Sequence, residues 1–169
     1  AWRVIMQLKH EPVALILSRQ ALPTLDRSKY ASASGLRRGA YVLSDAANGK
    51  PDVMLMATGS EVSLCTGAQE ELSTQGVQAR VISMPSWKLF EDQDAAYRES
   101  VMPSNIRARV SVEQAARFGW ERYVGIDGAR IGMRTFGESA PLQKLVKKFG
   151  FTVDAVVAAA LEQASKRKN

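Results

Sequence analysis

The sequence predicts an α/β fold in which helices are layered around a mostly parallel sheet. Three observations carry this prediction. Short continuous apolar runs have strand length, helical periodicity fills the stretches between them, and turn residues mark the junctions. Runs that are apolar throughout, rather than alternating, suit strands covered on both faces. The chain has 169 residues, 46% hydrophobic and 24% charged, which is the composition of a globular domain and excludes disordered, collagen-like and coiled-coil classes.

The elements follow in order. Ala1, Trp2, Val4, Ile5 and Leu8 fall at helical spacing without a capping residue, so the chain reads as starting inside an amphipathic helix that Pro12 ends. Residues 13–17, Val-Ala-Leu-Ile-Leu, read as a strand buried on both faces. The stretch 20–39, with Pro23, Gly35 and Arg37-Arg38, lacks periodicity and reads as an inter-domain linker. A short strand over 40–44 and a turn with Asn48-Gly49 and Pro51 lead into the apolar strand 53–57. Thr58 and Glu61 then have capping-box spacing, with Ser60 as a rival cap. The helix that follows carries Leu64, Cys65, Ala68 and Leu72 on one face and stops at Gly76. A strand over 79–83 closes a parallel β-α-β unit.

Short helices are expected over 87–91 and 94–101, ended by Pro103, then strands over 108–113 and 129–133 on either side of a Gly- and aromatic-rich stretch. Pro141 opens a helix with an apolar face of Leu142, Leu145, Val146 and Phe149. Thr152 caps the last helix, whose face is Val153, Val156, Val157, Ala160, Leu161 and Ala164.

Charge and composition narrow the function classes. Lys and Arg number 23 against 17 Asp and Glu, a net +6 that favours anionic partners such as phosphorylated metabolites. The densest cluster, Lys166-Arg167-Lys168, follows a helix and suits its dipole, and no stacking or helix-turn-helix pattern argues for nucleic acid. No apolar run is long enough to span a bilayer, and no basic-then-apolar leader is present. The single cysteine excludes a disulfide framework and suits a reducing cytoplasm; the single histidine excludes His-pair metal sites.

Arg19 is the residue most suited to chemistry. It directly follows the run 13–17, and open α/β sheets place ligands at the carboxyl ends of their strands. A guanidinium there can grip a phosphate or carboxylate through paired charge-assisted bonds; the same position also suits an arginine pairing a carboxylate at a domain seam. The turn Thr58-Gly59-Ser60 could hold an anion on its free N–H groups, but Glu61 would repel it, so a plain helix start is the favoured account. His10 reads as a surface histidine and Cys65 as a small buried hydrophobe. Glu113 fits either an acid at a cleft or half of an interface ion pair, and Trp120 and Tyr123 read as packing or interface anchors.

Several segments, in register over nearly the whole chain, resemble transketolase. They are Leu17-Ser18-Arg19-Gln20, Gly39-Ala40-Tyr41-Val42-Leu43, Ala57-Thr58-Gly59-Ser60-Glu61-Val62, Val81-Ile82-Ser83-Met84-Pro85-Ser86-Trp87, Tyr97-Arg98-Glu99-Ser100-Val101, Phe118-Gly119-Trp120-Glu121-Arg122-Tyr123-Val124-Gly125 and Phe136-Gly137-Glu138-Ser139-Ala140-Pro141. The resemblance implies a three-layer sandwich on a mostly parallel five-stranded sheet. Residues 1–22 would be the tail of a pyrimidine-binding domain, 23–38 a linker and 39–169 the C-terminal domain. It also implies a homodimeric parent that transfers a two-carbon ketol unit between sugar phosphates, using thiamine diphosphate with Mg or Ca. Arg19 stands where the family's substrate-phosphate arginine stands. The family's cofactor ligands, metal ligands and catalytic histidines lie upstream of the matched segments, so none maps here and the fragment is expected to be inactive alone. Gln114-Ala115-Ala116-Arg117 and Arg134-Thr135 depart from the common pattern. The alternative is a non-catalytic regulatory or subunit-docking domain of another thiamine-dependent enzyme.

Overall fold

The computed structural model describes residues 1–166. Its centre is a five-stranded sheet built from β1 (Tyr41–Ser44), β2 (Val53–Ala57), β3 (Ala79–Ser83), β4 (Arg109–Ala116) and β5 (Ala129–Met133), in the order β1-β3-β2-β4-β5. Only β1 is antiparallel; β3, β2, β4 and β5 run parallel, with Leu55 level with Val81 on one side and Val110 on the other. This is the three-layer, mostly parallel arrangement expected.

The layers follow from the side-chain period of a strand. Val53, Leu55 and Ala57 point to the face covered by α2 (Val62–Thr74) and α7 (Val153–Ser165), meeting Cys65, Ala68, Leu72, Val156 and Ala160. Met54 and Met56 point to the other face and pack with Phe90 of α3 (Trp87–Glu91), Val101 of α4 (Ala95–Val101) and Tyr123 of α5 (Glu121–Val124). All five residues of β2 have no exposed surface.

Local capping explains several boundaries. Ser86, Asp94 and Thr152 each accept a backbone N–H of their own first turn, from Leu89, Tyr97 and Ala155. Arg80, 7% exposed, is held by two 2.8 Å bonds to Asp45 and by the carbonyls of Ser100 and Val101. That cluster ties β3 to the turn after β1 and to the end of α4.

The structure corrects the sequence reading in several places. Residues 13–17 form no strand: Ile16 is 91% exposed and Leu17 73%, because none of the described residues offers the neighbouring strands that an all-apolar strand needs. The first helix is the single turn α1 (Trp2–Ile5), with Trp2 and Met6 exposed. Thr58 makes no side-chain cap, and Gly59–Glu61 is instead a 3₁₀ turn leading into α2. β4 runs on to Ala116 through a register shift between Glu113 and Ala116. Pro141 takes the cap of α6 (Leu142–Lys148) rather than its first turn, and Leu142 is exposed while Val146 and Phe149 pack partly against the core. Within 20–39, Ala33–Arg38 form a 3₁₀ helix capped by Ser32, and Leu25 and Tyr30 pack on the core. Lys166 pairs with Glu162 at 2.7 Å; Arg167 and Lys168 of the basic cluster lie outside the described residues.

Gly39 joins the 3₁₀ helix to the sheet with φ of 82°, and a Cβ there would be driven into the backbone N of Phe90 and the carbonyl O of Ser86. Both obstacles are main chain and neither can rotate away. Gly39→Ala is expected to lower the stability of the chain by about 3 kcal/mol, read as a lower urea midpoint at an unchanged slope.

Candidate functional site

In an open α/β sheet the natural ligand crevice lies at the carboxyl ends of the strands, where successive crossovers leave in opposite directions. Here the chain passes from β2 to β3 on one side and returns to β4 on the other, so that point lies between the ends of β2 and β4. β2 ends in Thr58-Gly59-Ser60-Glu61, and β4 carries Glu113 and Gln114 at the same edge.

The crevice is filled by the protein's own polar groups. Glu61 is 5% exposed; its carboxylate accepts the Ser60 hydroxyl at 2.5 Å, the Gln114 side-chain amide at 2.9 Å and the Gln114 backbone N–H at 3.4 Å. A buried carboxylate without such donors would be costly, which is why the pairing matters more than the helix cap that its spacing suggested. Glu113, half-buried, is engaged within the chain: its Oε2 accepts the indole N–H of buried Trp120 at 2.6 Å. Trp120 meets Trp87 edge-on with ring centroids 5.2 Å apart, and the Tyr123 hydroxyl donates to Glu91 at 2.8 Å, so both rings are packing elements. Burial, reinforced by that bond to Glu91, pushes the Tyr123 hydroxyl well above its ordinary pKa.

Arg19 is exposed, and Ser18 just before it lies against the β2 turn: a Cβ built on Gly59 would stand 3.8 Å from the Ser18 Oγ. Further back, Glu11 reaches Lys88 of α3 at 3.7 Å. Glu11 thus reaches the helix after β3 and Ser18 lies near the turn after β2, although residues 13–17 form no strand. His10 is exposed. Among the described residues no three His, Cys, Asp or Glu side chains come together as a metal-binding group. No helix among them is long and apolar enough to cross a membrane.

The fold and this edge define a class: an α/β domain on a mixed five-stranded sheet, its carboxyl crevice closed from within and an arginine exposed beside it. Residues 39–152 match the model of the transketolase-like C-terminal domain, and the chain belongs to that family. It is 52% identical to transketolase 1 of Escherichia coli over 96% of this chain and 24% of that protein. It is 46% identical to the transketolase of Geobacillus stearothermophilus over 93% of this chain and again 24% of the relative. Among solved structures, transketolase from Leishmania mexicana matches with a TM-score of 0.74 and 42% identity over 80% of this chain and 19% of that one. A Pichia stipitis transketolase solved with sedoheptulose 7-phosphate matches with a TM-score of 0.78 and 34% identity over 89% and 21%. The chain therefore spans about a quarter of the length of the curated relatives it matches.

Cys65 is fully buried on α2, and burial, with the negative charge of Glu61 nearby, pushes its thiol far above its ordinary pKa. Its thiolate is absent at neutral and mildly alkaline pH. A disulfide reagent at mildly alkaline pH is expected to leave Cys65 unmodified in the folded chain and to label it once urea has unfolded the chain; fast labelling without urea would contradict the burial.

Proposed function

We propose that this chain is the C-terminal part of a transketolase, an enzyme that moves a two-carbon ketol unit from a ketose phosphate to an aldose phosphate. Residues 1–22 are then the tail of the pyrimidine-binding domain, 23–38 the connecting linker and 39–169 the C-terminal domain. The relatives are transketolases, and the Pichia stipitis enzyme has been solved with sedoheptulose 7-phosphate and, as variants, with xylulose 5-phosphate and fructose 6-phosphate. The parent works as a cytoplasmic homodimer. Thiamine diphosphate, held with Mg or Ca by segments outside this chain, supplies the carbanion chemistry.

Within that scheme Arg19 binds the substrate phosphate. The observation that supports this role is its place: exposed, one residue beyond Ser18, which lies near the Gly59 turn at the carboxyl end of β2. A guanidinium suits the task because its planar donors meet two phosphate oxygens at once. The bonds would form in both ground and transition states, so they act mainly on KM.

In the full-length enzyme Arg19→Ala is expected to raise KM for phosphorylated substrates by about 10- to 150-fold, the equivalent of ~1.5–3 kcal/mol for one charged hydrogen-bonding group. KM for an acceptor aldehyde without phosphate should stay unchanged. Steady-state kinetics with both acceptors checks this, and an unaltered KM for sugar phosphates would remove Arg19 from the site. The 169-residue chain alone, mixed with ketose and aldose phosphates, thiamine diphosphate and Mg, is expected to show no transfer in a coupled assay.

A further inference from the structure

We infer that the cavity between the 3₁₀ helix Ala33–Arg38 and α4 is an anion-binding site, and that its ligand is a phosphate group, free or carried by a small metabolite. Arg19 takes no part in it, so the inference stands apart from the role proposed for that residue. The cavity has a volume of about 330 Å³, enough for a phosphate monoester, and is lined by Ser34, Gly35, Arg37, Arg38 and Tyr97.

Hydrogen bonds fix its two walls to each other. The Leu36 carbonyl accepts the Gly39 N–H at 2.9 Å, and the Gly39 carbonyl accepts the N–H of Ser86, the cap of α3, at 3.0 Å. The Ala40 carbonyl accepts the Tyr97 hydroxyl at 2.8 Å. The 3₁₀ helix, at the end of the linker, is therefore seated on the C-terminal domain through existing bonds. Arg38 lies over the Tyr97 ring, 4.4 Å from its centroid, which positions the guanidinium before a ligand arrives.

The charges of the cavity are uncompensated. No Asp or Glu is among its lining residues, and neither Arg37 nor Arg38 forms an ion pair among the described residues. Two adjacent cations repel each other, and an anion between them removes that repulsion. The donors decide which anion. A single guanidinium fork already satisfies both oxygens of a carboxylate, whereas two forks and the Ser34 hydroxyl match a dianion with three free oxygens. A phosphate group has that charge and that shape.

Phenylglyoxal modification of arginine, read residue by residue by mass spectrometry, tests the site in the 169-residue chain and in the full-length enzyme. Inorganic phosphate and fructose 6-phosphate are the probes, with acetate at matched ionic strength as the control. Phosphate at about ten times its Kd is expected to slow modification of Arg37 about 10-fold, and acetate to leave it unchanged. Arg38→Lys keeps the charge but loses the fork, and is expected to raise the half-protecting concentration about 10-fold. Arg19→Ala is expected to leave it as it was. Protection by either probe supports the site, and the one acting at the lower concentration identifies free phosphate or the phosphate ester as the ligand.

Equal rates with and without phosphate, or protection by acetate as strong as by phosphate, would overturn the site. So would an Arg37 that is unreactive in the full-length enzyme without ligand, because other parts of that protein would then cover the cavity. Loss of protection in the Arg19→Ala variant would assign the effect to Arg19 and overturn the site as well. If the 169-residue chain alone is unfolded, the full-length measurement decides.

Discussion

β2 is dry on both faces and bonded on both edges, and most of the architecture answers that condition. A strand with no exposed residue must hand every backbone donor and acceptor to a neighbour, and β3 and β4 supply them in parallel register. Parallel pairing gathers the carboxyl ends of four strands at one edge. It also requires helical crossovers, which become the two outer layers. The polar residues at that edge, Ser60, Glu61, Glu113 and Gln114, are placed there by the demands of the buried strand.

Most groups that looked chemically suggestive are engaged in holding that edge together. Glu61 joins β2 to β4 through Gln114, and Glu113 accepts the indole of Trp120. At the opposite end, Arg80 joins Asp45 to the end of α4. Each would cost about 1–3 kcal/mol if left buried and unsatisfied, so the fold depends on their pairing. Arg19 differs in being exposed, on a segment outside the described five-stranded sheet.

The sequence was most readable where a signal is local. The bounds of β2, β3, β5 and α3 coincide with runs whose apolar pattern and flanking turn residues are contained in the element itself. The cap at Thr152 lies within three residues of the N–H group it accepts. Residues 13–17 have the composition of a buried strand yet remain exposed, because composition states a preference for burial and cannot supply neighbours. Leu142 failed for a similar reason: helical spacing aligns it with Val146 and Phe149, but the helix meets the core only near its later turns.

The alternation of strands and helices beyond residue 40, the Thr152 cap and the buried character of Cys65 were legible in the sequence alone, since each depends on residues a few positions apart. What only the tertiary structure decided is who meets whom across the fold. Glu61 and Gln114 are 53 residues apart, and nothing near Glu61 reveals that strand order will bring Gln114 to it in place of a cap. Nor could Arg80 be matched with Asp45, 35 residues away, before the sheet order was known. Local preferences act through a few bonds of chain, whereas these pairings exist because a dry central strand draws distant segments to a common edge.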